Sequence, residues 1–242
     1  MDFVASIQQE KWLEAAALRN GLYNNFSVLF QDAPTDEALN RLIDYSMKVV
    51  LEPDLFPAEK RFSEILVPLQ AQRLENGIEE LRKQVASEYA ELFIGPRPPL
   101  APYYESVYLG APSRLFTDQT MKVREFYSRC GKRVQEYGRI PDDHLAYELE
   151  LMADLSAKET ELLEKGKLEE ALGIAALEYE FLSEHLSVWI GLFLQRLTAS
   201  NVSKFYEYLT AYLYEFVVSD RVYLANLTAK PEMDAPDENG CN

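Results

Sequence analysis

Long apolar stripes at helical period, with almost nothing that reads as a strand, constrain this chain more than any other feature. Leu13, Ala16, Ala17, Tyr23, Phe26 and Phe30 fall on one face of a helix spanning about 8–30. Ile78, Leu81, Val85, Tyr89 and Leu92 do the same over about 75–93. Half-buried strands need apolar/polar alternation, which is scarce here. The one Asn-Gly pair, Asn76-Gly77, lies inside a helical pattern instead of between two strands. With only 10 glycines and 48% hydrophobic residues in 242, the chain is expected to be an all-α, single-domain bundle of about nine to eleven helices.

Boundary signals divide the rest. Thr35 or Asp36 caps a second helix carrying Leu39, Leu42 and Ile43. Pro53, Pro57 and Pro68 predict short helical pieces and turns over 51–70. Gly95-Pro96 stops the 75–93 helix and opens a long loop, 95–117, rich in proline and tyrosine. Asp118 is the expected cap of the next helix, which Tyr137-Gly138 ends. Ile140-Pro141-Asp142 is the expected opening of another, running to about Lys165 with Gly166 behind it. A long pattern over 168–198 has a break or kink near Ser187, and Ser203 caps the last helix. From residue 228 the apolar period is lost, so 1–227 reads as the folded domain and 228–242 as an acidic, disordered tail.

The formal net charge of −16, from 40 acidic and 24 basic residues, repels nucleic acid and anionic lipid and favours a basic partner. Two cysteines, Cys130 and Cys241, make no disulfide framework, and no run approaches the ~20 apolar residues of a membrane span. The start of the chain lacks a basic n-region and an apolar h-region, so the sequence reads as cytoplasmic, without membrane insertion. His144 and His185 stand far apart and no metal-ligand spacing occurs, so neither a metal nor a cofactor is expected. Phosphate-loop and dinucleotide motifs are also missing.

Irregular segments held by a rigid scaffold are where function concentrates, and three such segments carry alternatives. In Pro141-Asp142-Asp143-His144, an aspartate either caps backbone N–H groups or accepts from a partner's cationic side chain that His144 helps orient. In Pro102-Tyr103-Tyr104-Glu105-Ser106-Val107-Tyr108, the tyrosines either pack the loop down or line a peptide groove. His185-Leu186-Ser187-Val188-Trp189 reads as core packing on a helix. A hydrolase built from Ser106, His144 and Asp142 or Asp143 lacks the nucleophile-elbow motif.

Taken in order, Leu92-Phe93-Ile94-Gly95-Pro96, Ala101-Pro102-Tyr103-Tyr104-Glu105-Ser106-Val107-Tyr108, Pro141-Asp142-Asp143-His144 and His185-Leu186-Ser187-Val188-Trp189 form a pattern that resembles the TorD/DmsD family, related to the NarJ group. Each motif alone is common; four in order are specific. Tyr103, Tyr104, Thr117 and Val188 depart from residues frequent in that family. The resemblance implies a TorD-like all-α cytoplasmic chaperone without catalytic activity. Its partners would be the twin-arginine leader and the body of a molybdenum-containing oxidoreductase catalytic subunit, held back from export until its cofactor is inserted. It further implies a peptide-binding set of Tyr89, Leu92, Phe93, Pro102, Tyr104, Ser106, Asp142, Asp143 and His144, in a monomer or a domain-swapped dimer. The alternative is a helical scaffold subunit that stays in a finished oxidoreductase complex.

Overall fold

A computed structural model describes residues 2–50, 59–110, 117–134 and 139–229. Among them the chain is helical throughout: α1 Asp2–Gln31, α2 Asp36–Val50, α3 Glu59–Asn76, α4 Ile78–Tyr89, α5 Glu105–Leu109, α6 Asp118–Arg129, α7 Leu145–Glu164, α8 Leu168–Phe181, α9 Ser187–Ser200 and α10 Lys204–Thr228. Two π-helical turns, Ala90–Ile94 and Leu182–Leu186, extend α4 and join α8 to α9. An isolated antiparallel bridge joins Tyr104 and His144. No helix among the described residues is long and apolar enough to cross a membrane. The predicted tail lies outside the described residues apart from Thr228, which ends α10, and Ala229; Cys241 lies outside them too.

Several boundaries differ from the sequence reading, each for a local reason. The 75–93 helix starts at Ile78, because Gly77 takes φ +82°, a conformation that breaks the hydrogen-bond ladder and ends α3 at Asn76. Pro68 does not end α3. It sits exposed within the helix, where the carbonyl it leaves unbonded can meet water. Thr117, not Asp118, caps α6: its hydroxyl accepts from Gln119 N–H at 3.3 Å, and Thr120 Oγ1 accepts from Thr117 N–H at 3.3 Å. Helix α7 begins at Leu145, later than expected, because 141–144 is held in extended and turn conformations by the loop before α5.

Other signals hold as read. Thr35 Oγ1 accepts from Ala38 N–H at 3.1 Å at the start of α2, and Ser203 Oγ accepts from Tyr206 N–H at 3.1 Å at the start of α10. Gly166 adopts φ +72° and Lys167 N–H returns to Leu162 O at 2.9 Å, a glycine-terminated C-cap on α7. The break expected near Ser187 is the π-helical turn that precedes it.

Helix α7 is the axis of the bundle, packed against α1 on one side and α8 on another, with α10 closing over α8 and α9. Its buried residues cover most of its surface and leave one stripe, Glu150, Asp154, Lys158 and Glu164, to solvent. One continuous core runs from Leu22 in α1 to Leu224 in α10. An aromatic knot anchors it: Phe93 meets Tyr89 at 5.0 Å, Tyr103 at 5.0 Å and Tyr206 edge-on at 5.1 Å.

A charge sits inside this bundle. Arg19, on the apolar stripe of α1 and fully buried, meets Glu159 of α7 at 2.6 Å, Glu178 of α8 at 2.9 Å and Asp220 of α10 at 2.6 Å. Tyr23 donates its hydroxyl to Asp220 at 2.6 Å, and the Trp12 indole donates to Glu159 at 2.7 Å. Burial alone would lower the pKa of Arg19, but Asp220, Glu178 and Glu159 hold it above its ordinary value. Burial, opposed by Arg19, pushes the Glu178 carboxyl well above the usual carboxylate range. Four helices are thereby tied through one guanidinium.

Candidate functional site

The site begins where α4 ends. The π-turn closes with Gly95 N–H on Ala90 O at 2.7 Å, and Gly95 takes φ +35°, which turns the chain back on itself. Leu100 and Ala101 N–H groups both bond Leu92 O, at 2.9 and 3.3 Å, so the proline-rich loop folds over the end of its own helix. It then runs antiparallel to 141–145. Leu145 N–H donates to Tyr103 O at 2.9 Å and Glu105 N–H to Asp143 O at 3.1 Å, either side of the Tyr104–His144 bridge.

Side chains complete the seam. Helix α5 has no side-chain cap of its own at Tyr104. Asp143 supplies one from across the seam, its Oδ2 accepting Ser106 N–H at 2.7 Å. His144 caps α7, its Nδ1 accepting Ala146 N–H at 3.1 Å. Burial drives the His144 pKa down to about 3, so its ring is neutral and able to accept. Asp142, 1% exposed, takes a two-pronged contact from Arg124 of α6, at 2.6 Å from Nη2 and 3.1 Å from Nε.

Behind the seam lies a second buried polar node. Glu105 Oε1 and Oε2 both lie 3.2 Å from His185 Nδ1, and Glu105 also accepts from the Gln119 carboxamide. Glu148, one turn into α7, accepts the Trp189 indole N–H at 3.0 Å. Burial first, then the neighbouring Glu105 carboxyl, push Glu148 well above the usual carboxylate range, while the Trp189 donor acts in the opposite sense. Tyr127 is likewise pushed up, by burial and by the field of Glu148. Tyr108 stacks on Trp189 at 5.4 Å, fastening α5 to α9. The four motifs are therefore one unit in space: the α4 end holds the loop, the loop holds 141–145, and the 185–189 segment holds both through Glu105 and Glu148.

The nine residues expected to bind peptide gather around this unit, but mostly on its inside. Tyr89, Leu92 and Phe93 belong to the core. Ser106, Asp142, Asp143 and His144 are buried, three of them engaged in the caps and ion pair above. Pro102 and Tyr104 alone among the nine are partly open to solvent. The capping reading of Asp143 and His144 is realised, and so is the packing reading of His185 and Trp189, with a polar bond added to each. No Ser-His pair forms: Ser106 Oγ has no hydrogen-bond partner and His144 Nδ1 faces its own helix. No group of three or more His, Cys, Asp or Glu among the described residues is arranged to hold a metal.

Sequence reasoning missed Arg19, Glu105 and Glu148. Their signal was phase. Arg19 follows Ala16 by three and precedes Tyr23 by four, and Glu148 precedes Met152 by four, so each is an ionisable residue on the buried side of its stripe. Such a residue needs a partner from another element.

The fold and the seam together define an all-α protein whose inner polar groups hold a proline-tyrosine loop against the start of a central helix. The chain belongs to the nitrate reductase delta subunit family, whose model matches residues 58–195 and so spans all four motifs. Among its relatives is the chaperone protein TorD of Vibrio cholerae, 26% identical over 155 residues, or 64% of this chain and 68% of that one. The TorD of a Psychrobacter species is 25% identical over 230 residues, 90% of this chain and 96% of the relative. A probable Tat proofreading chaperone DmsD of Haemophilus influenzae is 30% identical over 127 residues, so this chain's match spans little more than half, 55%, of that protein.

Proposed function

We propose that this chain is a cytoplasmic maturation chaperone for a molybdenum-containing oxidoreductase. It binds the twin-arginine leader and the apo form of the catalytic subunit and delays export until the cofactor is in place. The observation that carries this reading is the joining of the four family motifs by direct hydrogen bonds into one loop-and-helix unit. Recognition of a peptide rewards fastening a proline-tyrosine loop closely, because an ordered receptor loses less entropy on binding.

Within this reading, the site residues divide by task. Pro102 and Tyr104 offer contact surface. Tyr89, Leu92 and Phe93 form the floor beneath them, while Ser106, Asp142, Asp143 and His144 fix the loop's shape. The net charge of −16 draws in a basic leader and makes the association rate fall with salt. Calorimetric titration with the twin-arginine leader of a molybdoenzyme encoded beside this gene tests the proposal. Saturable binding is expected, and a complete lack of binding to both leader and apo-subunit would refute it.

The family's description as a delta subunit favours one other reading: a scaffold that remains in the finished enzyme. Purification of the mature oxidoreductase separates the two, since a chaperone is absent from it and a subunit copurifies stoichiometrically.

A further inference from the structure

A cavity of about 120 Å³ opens between α3, α4 and the start of α10. Leu69 of α3, Leu81 and Val85 of α4 and Phe205 of α10 form its apolar wall, and the exposed Pro68 and Lys204 also line it. An apolar cavity of about 150 Å³ takes a benzene molecule, so this one is the size of a branched aliphatic side chain. None of its lining residues belongs to the seam between the proline-tyrosine loop and α7.

A ridge stands beside the cavity on the same helix. Val67, Ala71 and Leu74 recur at spacings of four and three along the outward side of α3, and all three are exposed. Leu74, at 76%, and Val67, at 64%, are the two most exposed large apolar side chains among the described residues. Apolar side chains scattered singly over a surface need no explanation. A row of them next to an open apolar cavity of matching size does.

Hole and ridge on one helix are what a two-fold contact requires. In such a contact the same patch serves both copies, so each copy must carry both the knob and its receptacle. Two α3 helices crossing antiparallel, with Ala71 on Ala71, place position 74 of one copy opposite position 68 of the other. Leu74 then passes Pro68 into the cavity behind it, and the symmetry repeats the contact. Ala71 is small enough at the crossing to allow the close approach of packed helices, about 8–10 Å between axes. The charges agree as well: Glu75, next to the entering Leu74, comes to the cavity edge where Lys204 stands.

We propose that the occupant of this cavity is a second copy of the chain, in a two-fold dimer through α3 where Leu74 of each copy fills the cavity of the other. Each copy keeps its own fold, which separates this dimer from one made by exchanging helices. The proposal is independent of the leader reading, because it uses no residue of the seam. At ~0.15 M salt the screening length is about 8 Å, so acidic groups farther than that from the crossing do little to oppose contact.

Sedimentation velocity on the full chain in about 0.15 M salt, from low to high micromolar concentration, tests the proposal. A reversible shift from the monomer mass toward twice that mass is expected. Leu74→Glu, at a position open to solvent, should fold as the parent does and weaken the dimer at least about tenfold, since its carboxylate would enter an apolar cavity. A cysteine scan locates the axis. In a protein with Cys130→Ser and Cys241→Ser, Ala71→Cys should cross-link to its own counterpart on mild oxidation, whereas Val222→Cys, exposed on α10, should not. A chain that stays monomeric at every concentration overturns the proposal, and so does a dimer that Leu74→Glu leaves intact. A dimer that forms without a cross-link at position 71 overturns the two-fold through Ala71.

Discussion

His144 makes the seam's stability depend on pH in a direction opposite to that of an ordinary surface histidine. Its ring is 5% exposed, lies between Tyr103 at 4.3 Å, Tyr104 at 5.1 Å and Tyr147 at 5.2 Å, and caps α7 only while Nδ1 is unprotonated. Burial lowers its pKa from 6.5 to about 3. In the unfolded chain it returns to about 6.5. A depressed histidine contributes stability that is fully present above the unfolded value and is lost as pH falls toward the folded one. Between pH 7.5 and 4.5 the loss from this residue is about 2–3 kcal/mol. Glu148 and Glu178, raised in the fold, act the other way above about pH 4.5, so the whole-protein profile mixes both signs. A paired comparison isolates the histidine. His144→Asn keeps a good N-cap and does not titrate. Urea unfolding followed by circular dichroism at pH 7.5, 6.5, 5.5 and 4.5 should show the variant less stable at pH 7.5, by about 1–2 kcal/mol for lost ring packing. It should then gain on the parent by about 2–3 kcal/mol by pH 4.5. Parallel profiles across that range would refute the buried, neutral cap.

Two further outcomes follow from the buried polar groups. Arg19→Leu leaves Glu159, Glu178 and Asp220 enclosed without their cation, so it should cost about 3–5 kcal/mol and lower Tm by roughly 10 °C in a thermal melt; a shift under about 2 °C would mean that the node is not closed in solution. Asp143→Ala removes the cap of α5 and should cost about 1–3 kcal/mol while leaving far-ultraviolet helicity nearly unchanged, with leader affinity falling in step. Pro102→Ala, at a half-buried position with no N–H to lose, should weaken leader binding at nearly constant stability, and equal stability losses in the two variants would contradict the division into shaping and contacting residues.

How far the sequence could be read depended on whether the signal was one of phase or of partner. Phase was largely legible: Ala16, Tyr23, Phe26 and Phe30 lie on the buried side of α1, although Ala17 of the same expected stripe is exposed, Gly95 and Gly166 end their helices at positive φ, and Thr35 and Ser203 cap where their spacing suggests. Where phase and backbone geometry disagreed, geometry won. Gly77 separates α3 from α4 inside a stretch that reads as helical on both sides, and residue type alone does not tell that its φ is positive. Partners were a different matter. The spacing of Asp143 and His144 admits both a cap and a free acceptor, and only the approach of Ser106 N–H and Ala146 N–H decides between them. Glu105 and His185 are 80 residues apart, and nothing local in either sequence names the other. The four motifs were nevertheless legible as a set, because their order matched a family pattern although each is common alone: a Gly-Pro stop, a tyrosine-proline turn, an Asp-His start, and a histidine four residues before a tryptophan. What they share is now physical. Each supplies a group that another cannot leave unpaired, so a change in one propagates as an uncapped helix end or an uncompensated carboxyl in the next. A loop held in that way has few alternative conformations, and a peptide that displaces even one of its bonds must replace it with a donor of equal strength.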